Sequence, residues 1–140
     1  MREIKFRGRD ICTGEWLYGD LRQRAGCLPS IIHSFCNNGK LDYCETPIHR
    51  DSLGQFTGLI DKNGNEIYEG DIIGCYNPDI KHLIFYNEKQ GRFMAALNGD
   101  IDNDFVGVCG LDDSRWNASK EVIGNIHDNP ELLKGGSYEK

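Results

Sequence analysis

Apolar and polar residues alternate from the start of the chain. In "REIKFRGRD", Ile4 and Phe6 face one way and Glu3, Lys5 and Arg7 the other. That period of two predicts a half-buried strand. "CTGEW" supplies a turn, and "EWLYGDLRQ" reads as the returning strand of a hairpin. "PSIIHSF" and "KLDYCE" flank "CNNGK", where Asn38-Gly39 is a strong signal for a two-residue hairpin turn. Residues 1–50 therefore read as two consecutive hairpins, either a separate lobe or part of one core shared with the rest of the chain.

The most patterned stretch is "GQFTGLIDKNGNEIYEGDII", residues 54–73. "DKNG" sets Asp at the first and Gly at the fourth position of a type I turn, with Gly64 left-handed and opening a bulge. A two-residue Asn-Gly turn would instead place Asp61 opposite Glu66, a like-charge pair across the ladder. The three-residue register pairs Leu59 with Ile67 and leaves Asp61 opposite Asn65, and it is the one expected. "YEGDIIGCY" predicts a tight turn at Glu69-Gly70 and a strand from Ile72.

"HLIFYN" and "RFMAAL" form a further hairpin turning near Gly91, and "NGDIDND" is a polar loop. "FVGVCGL" and "EVIGNI" are strands, while "DDSRWNASK" and "NPELL" each hold one short helical turn. Residues 135–140 form a flexible tail. No apolar period of helical spacing exceeds about two turns. The pattern is that of a mainly β protein built from short antiparallel hairpins.

At 140 residues the chain has the length of one domain, or of two small β modules sharing a core. Seventeen glycines without any repeat fit many turns between short strands. The net charge of −6 works against non-specific nucleic-acid binding. Arg2, Lys5, Arg7 and Arg9 concentrate positive charge at the start, and they read as a solvated strand face rather than a phosphate-binding arm. The sequence shows no charged n-region with an apolar h-region, and no apolar run long enough to span a bilayer. A soluble cytoplasmic protein with no membrane partner is the expectation, with the six cysteines as reduced thiols.

The chemical motifs fail one by one. Counted from Asp61, the glycine of a calcium loop comes too early; counted from Asp100, Phe105 and Leu111 stand where Gly and Glu are needed. The cysteines have no C-x2-4-C spacing, so a zinc site would have to be gathered from "HSFC" and "CETPIH", that is from His33, Cys36, Cys44 and His49. "GxSxG" and a P-loop ending are both absent. The aromatics Tyr68, Tyr76, Phe85, Tyr86 and Phe93 lie in or beside strands, and alternation turns about half of them inward as core. No catalytic residue, metal ligand or cofactor is assigned.

Three segments, "MREIKFRGRD", "GQFTGLIDKNGNEIYEGDII" and "VIGNIHDNPELL", occur in this order, and their layout resembles the YopX family of small phage and prophage proteins. The resemblance implies a mainly β fold with a small SH3-like barrel in the C-terminal half, a mobile-element origin in a bacterial host cell, and no established activity. The expected organisation is a hairpin region at 1–50 and a barrel-like region at 51–134. Turn chemistry accounts for Gly58, Asp61, Gly64, Gly70 and Asp71. Gln55 and Thr57, alternating with Phe56, are left as a polar pair facing a groove, and with Tyr68 and Asp71 they make the candidate binding set.

The leading expectation is a non-enzymatic protein-binding β module that self-associates and engages a host or phage protein. Two rivals stand beside it. One is a single-stranded nucleic-acid-binding barrel, with basic residues clustered near exposed aromatics. The other is a metal-dependent enzyme in which the cysteines and histidines converge.

Overall fold

The computed structural model describes residues 3–74, 80–102, 105–107 and 120–133. Among the described residues there are eleven strands: β1 (Phe6–Arg9), β2 (Trp16–Arg22), β3 (Ser30–Asn37), β4 (Lys40–Pro47), β5 (Gly54–Ile60), β6 (Glu66–Tyr68), β7 (Asp71–Gly74), β8 (Lys81–Asn87), β9 (Arg92–Leu97), β10 (Phe105–Gly107) and β11 (Glu121–Asn125). Two short 3-10 turns, Arg50–Ser52 and Pro130–Leu133, complete the described elements. None of the described helices is long and apolar enough to cross a membrane. The protein is mainly β, as the alternation predicts. One sheet has the order β4-β3-β2-β1-β5-β6 and the other β10-β9-β8-β7-β11. The chain divides into two compact units, Met1–Gly58 and Leu59–Lys140, with β5 running through the division.

In the first unit β1 pairs with β2 on one side and β5 on the other, and β3 carries the ladder on to β4. Ile31, Ile48 and Phe56 are the buried large apolar residues of this unit. Gly8 lies so close to Ile48 that a Cβ there would overlap the isoleucine side chain. Ser52 ties the segment after β4 back to β1: its Oγ accepts from Arg9 N–H at 2.8 Å and donates to His49 C=O at 2.6 Å.

The charged face expected on the first strand is not solvated throughout. Arg7 is only 5% exposed, whereas Ile4 is 55% exposed and precedes the strand. The guanidinium of Arg7 sits 4.6 Å from the centre of the Trp16 ring, and that of Arg9 sits 5.2 Å from it. A planar, weakly hydrated cation stacked on an aromatic face tolerates burial that an ammonium would resist. Arg2 lies outside the described residues.

The second unit has apolar clusters on both faces of its sheet. Ile73, Ile84 and Ala95 pack with Ile67, joined by Leu59, Phe93 and Val122. Ile72 and Leu83, their neighbours along the chain and so on the opposite face, pack with Leu133, joined by Ile126 and Leu132 from the C-terminal segment. This is why "DII" and "HLI" read as continuous apolar runs, a pattern that signals burial on both faces. In the described residues β10 and β11 stand at the two ends of this sheet. The helical turn expected in "DDSRWNASK" lies outside the described residues, and that in "NPELL" is the 3-10 turn Pro130–Leu133.

Candidate functional site

The central motif forms a turn held by one carboxylate. Asp61 N–H donates to Asn65 C=O at 2.8 Å, and Gly64 N–H donates to Asp61 C=O at 3.1 Å. Asp61 therefore faces Asn65, the three-residue register that avoids a clash with Glu66. Gly64 takes φ +85°, the left-handed region where a side chain is strained. Asp61 Oδ1 accepts from the N–H groups of Asn63 (2.9 Å) and Asn65 (2.8 Å), while Oδ2 accepts from Val122 N–H at 2.9 Å and from Asn65 Nδ2 at 3.3 Å. Burial pushes the Asp61 carboxyl up, but the N–H donors of Val122, Asn65 and Asn63 outweigh it and hold the group below its ordinary value of 3.8. Its hydrogen-bonding capacity is spent on the fold.

The four candidate binding residues fall in different surroundings. Gln55 and Thr57 are half-buried on β5 in the first unit, alternating with buried Phe56. Tyr68 and Asp71 lie in the second unit at 2% and 1% exposure. Tyr68 N–H donates to Asp71 Oδ2 at 2.7 Å, and Tyr68 O–H donates to Glu66 Oε1 at 3.0 Å. These two clamp the turn at Glu69-Gly70 and offer almost no surface to a ligand. Among the other aromatics, Tyr86 is exposed and packs edge-on against Phe93 at 5.3 Å, while Tyr76 lies outside the described residues. Lys5 sits 5.4 Å from the centre of the Phe56 ring, so the described basic residues of the N-terminal segment cover aromatic faces of their own unit.

What sequence reasoning missed is the exposure of the second hairpin. β3 and β4 pair in register from Ser30↔Pro47 to Asn37↔Lys40 around Asn38 (φ 52°) and Gly39 (φ 80°), the two positive φ values of a type I′ turn. β2, however, reaches only Ser30, Ile31 and Ile32. Beyond Ile32 the hairpin is a ribbon of two strands, and Phe35 (41% exposed), Leu41 (67%) and Tyr43 (63%) stand on it in solvent. Alternation places Phe35 on one face and Leu41 and Tyr43 on the other. The length of "WLYGDLR" does not reveal this, because in this register its seven residues could reach Cys36, yet the ladder stops at Asp20↔Ile32.

On the Phe35 face the ladder sets His33 directly opposite Cys44. Cys44 Sγ lies 3.2 Å from His33 Nε2, and Thr46 Oγ1 lies 2.9 Å from the same nitrogen. Of the four residues from which a zinc site could be gathered, only these two meet. Cys36 is exposed on the other face of β3, and His49 follows β4, where its N–H donates to Arg9 C=O at 2.9 Å. Among the described residues there is no group of three or more His, Cys, Asp or Glu side chains arranged to hold a metal.

Residues 5–134 match the family model described as YopX protein. Among solved structures, the chain is similar to a crystal structure of protein EF1440 from Enterococcus faecalis. The two share 27% identity with a TM-score of 0.59, over 96% of this chain and 100% of that one. No curated protein matches the chain.

Proposed function

The chain belongs to the YopX family, and from that premise we propose that it is a phage- or prophage-derived accessory protein without catalytic activity, a β module that binds protein and, first of all, a second copy of itself. One observation carries the reading: the β3–β4 ribbon projects past β2 with Phe35, Leu41 and Tyr43 exposed. A ribbon of two strands is marginal in water unless something covers it. β4 is also the end strand of its sheet, so its outer edge is a template for another strand. An identical edge related by a two-fold axis is antiparallel to it and extends the ladder with the same side chains on both sides. Gln55 and Thr57 are the polar positions we assign to a further protein partner in the bacterial cytoplasm.

The acidic balance, −6 over the chain, supports protein over nucleic acid as the partner. The basic residues of β1 support the same choice, because their guanidinium groups already lie on Trp16.

Native mass spectrometry and light scattering on the full chain test the reading. The expected result is an oligomer that the double substitution Leu41→Lys, Tyr43→Lys converts to monomer with its melting temperature within a few degrees of the parent monomer. A chain that stays monomeric at the highest attainable concentration overturns self-association. Co-purified nucleic acid, or zinc released by a chelator, would move the assignment to single-strand binding or to metal chemistry.

A further inference from the structure

Cys44 differs from the other described cysteines. Cys12, Cys27 and Cys36 are exposed, whereas Cys44 is half-buried. By access alone it should be the slowest of the four to react. It is the one with an imidazole opposite it on the ladder, Sγ to Nε2 at 3.2 Å. Thr46 Oγ1, on the same face of β4, reaches that Nε2 at 2.9 Å and Cys44 Sγ at 3.8 Å. The three side chains lie on paired strands, so ladder register rather than a loop holds them together. Asp42, the next residue of β4 on this face, has a carboxylate whose Oδ1 accepts from Tyr43 N–H at 2.8 Å.

We propose that Cys44 is a nucleophilic thiol site for small disulfides and other soft electrophiles, with His33 as its proton acceptor and Thr46 as a positioning residue. With the His33 proton on Nδ1, Nε2 is open to accept from the thiol. The S–H proton passes to Nε2, leaving a thiolate beside an imidazolium, the pairing that activates cysteines. The thiolate attacks one sulfur of a low-molecular-weight disulfide. That S–S bond breaks, a new bond joins Cys44 Sγ to the attacked sulfur, and the departing thiolate takes up the proton from Nε2. Two thiol–disulfide partners exchange, and no further oxidant is needed. Once the proton is on Nε2, the N–H is shared between Thr46 Oγ1, which accepts it at 2.9 Å, and the sulfur, so Thr46 holds the ring in place as charge develops there. The product is a mixed disulfide on the root of the exposed ribbon, so the site places a reversible covalent mark next to the proposed binding surface. The chemistry does not depend on that surface being used.

The test is a competition within one molecule. The reduced full chain is treated with a limiting amount of 5,5′-dithiobis(2-nitrobenzoate), the remaining thiols are blocked, and each cysteine peptide is quantified by mass spectrometry over time. Cys44 is expected to react about tenfold or more faster than Cys12, Cys27 and Cys36, the scale of general-base assistance. His33→Asn is expected to bring its rate down to theirs or below, with Cys27 and Cys36 unchanged. If the substitution merely loosened the hairpin, Cys44 would gain access and speed up, so a structural effect has the opposite sign. Rates that follow exposure, with Cys44 slowest, overturn the proposal. So does a Cys44 rate that His33→Asn leaves unchanged.

Discussion

Two hairpins of this protein turn on the same dipeptide, Asn-Gly, and differ in almost everything else. At Asn38-Gly39 both residues take positive φ, the loop has two residues, and the strands run on into solvent. At Asn63-Gly64 only the glycine is left-handed, the loop has three residues, and Asp61 binds the turn to Val122, 61 positions away. The dipeptide thus does not choose the turn. The residue two places before the asparagine does: an aspartate there accepts from the backbone at i+2 and i+4 and locks a type I turn, whereas at the other hairpin that position is Cys36, which has no such acceptor. One hairpin is fastened to its unit by a long-range hydrogen bond and an apolar cluster. The other is fastened only at its base.

The sharpest way to break the contrast is to remove the fastener. Asp61→Ala should lower the unfolding free energy by about 3 kcal/mol, because it removes the acceptor of several part-buried hydrogen bonds at once. Thermal or urea unfolding measures it, and a loss below about 0.5 kcal/mol, the range of ordinary surface substitutions, would mean the carboxylate is decoration. Acid should weaken the same fastener in the parent. The folded carboxyl is held below its ordinary value of 3.8, so its contribution is full above that value and is lost as the pH falls through the folded one. The stability gap between the parent and Asp61→Asn should therefore narrow on acidification, and a gap independent of pH down to denaturation would contradict the assignment. At the unfastened hairpin the effect is smaller. Gly39→Ala forces a side chain into the left-handed region and should cost about 1–2 kcal/mol locally, seen as faster hydrogen exchange along the ribbon with the global midpoint nearly unmoved. If the global midpoint fell as far as for Asp61→Ala, the ribbon would be part of the cooperative core and the contrast would fail.

The mainly β character, the register at Asp61 and the left-handed Gly64 were all legible in the sequence, because each follows from local rules: period two, like-charge avoidance, and turn chemistry. The fate of Arg7 was not, since its burial depends on Trp16 arriving opposite its neighbour Arg9 from another strand. The same holds for Tyr68 and Asp71. They look like a binding pair in a motif, yet the structure covers them, because the acid's role is to receive Tyr68 N–H across a two-residue turn. The Cys44–His33 contact lay between those cases. Asn38-Gly39 fixes the register, and the register alone sets 33 opposite 44, so counting back from the turn reaches the pair. The exposure of the ribbon tip was not legible, because it depends on where the β2 ladder stops along β3 and not on the length of β2.

The Leu133 contact has a consequence in time. Ile72 and Leu83 find part of their cover only in Leu133 and its neighbours Ile126 and Leu132. A ribosome delivers the chain in order, at about 5–20 residues per second. The first unit holds Ile31, Ile48 and Phe56 within its 58 residues and has all of its own core available early. The second must wait with part of one apolar face uncovered until the segment at Pro130–Leu133 is made. A nascent chain paused before that segment would carry a finished first unit and a sticky second one, which makes the interval between them the period when chaperones matter most to this protein.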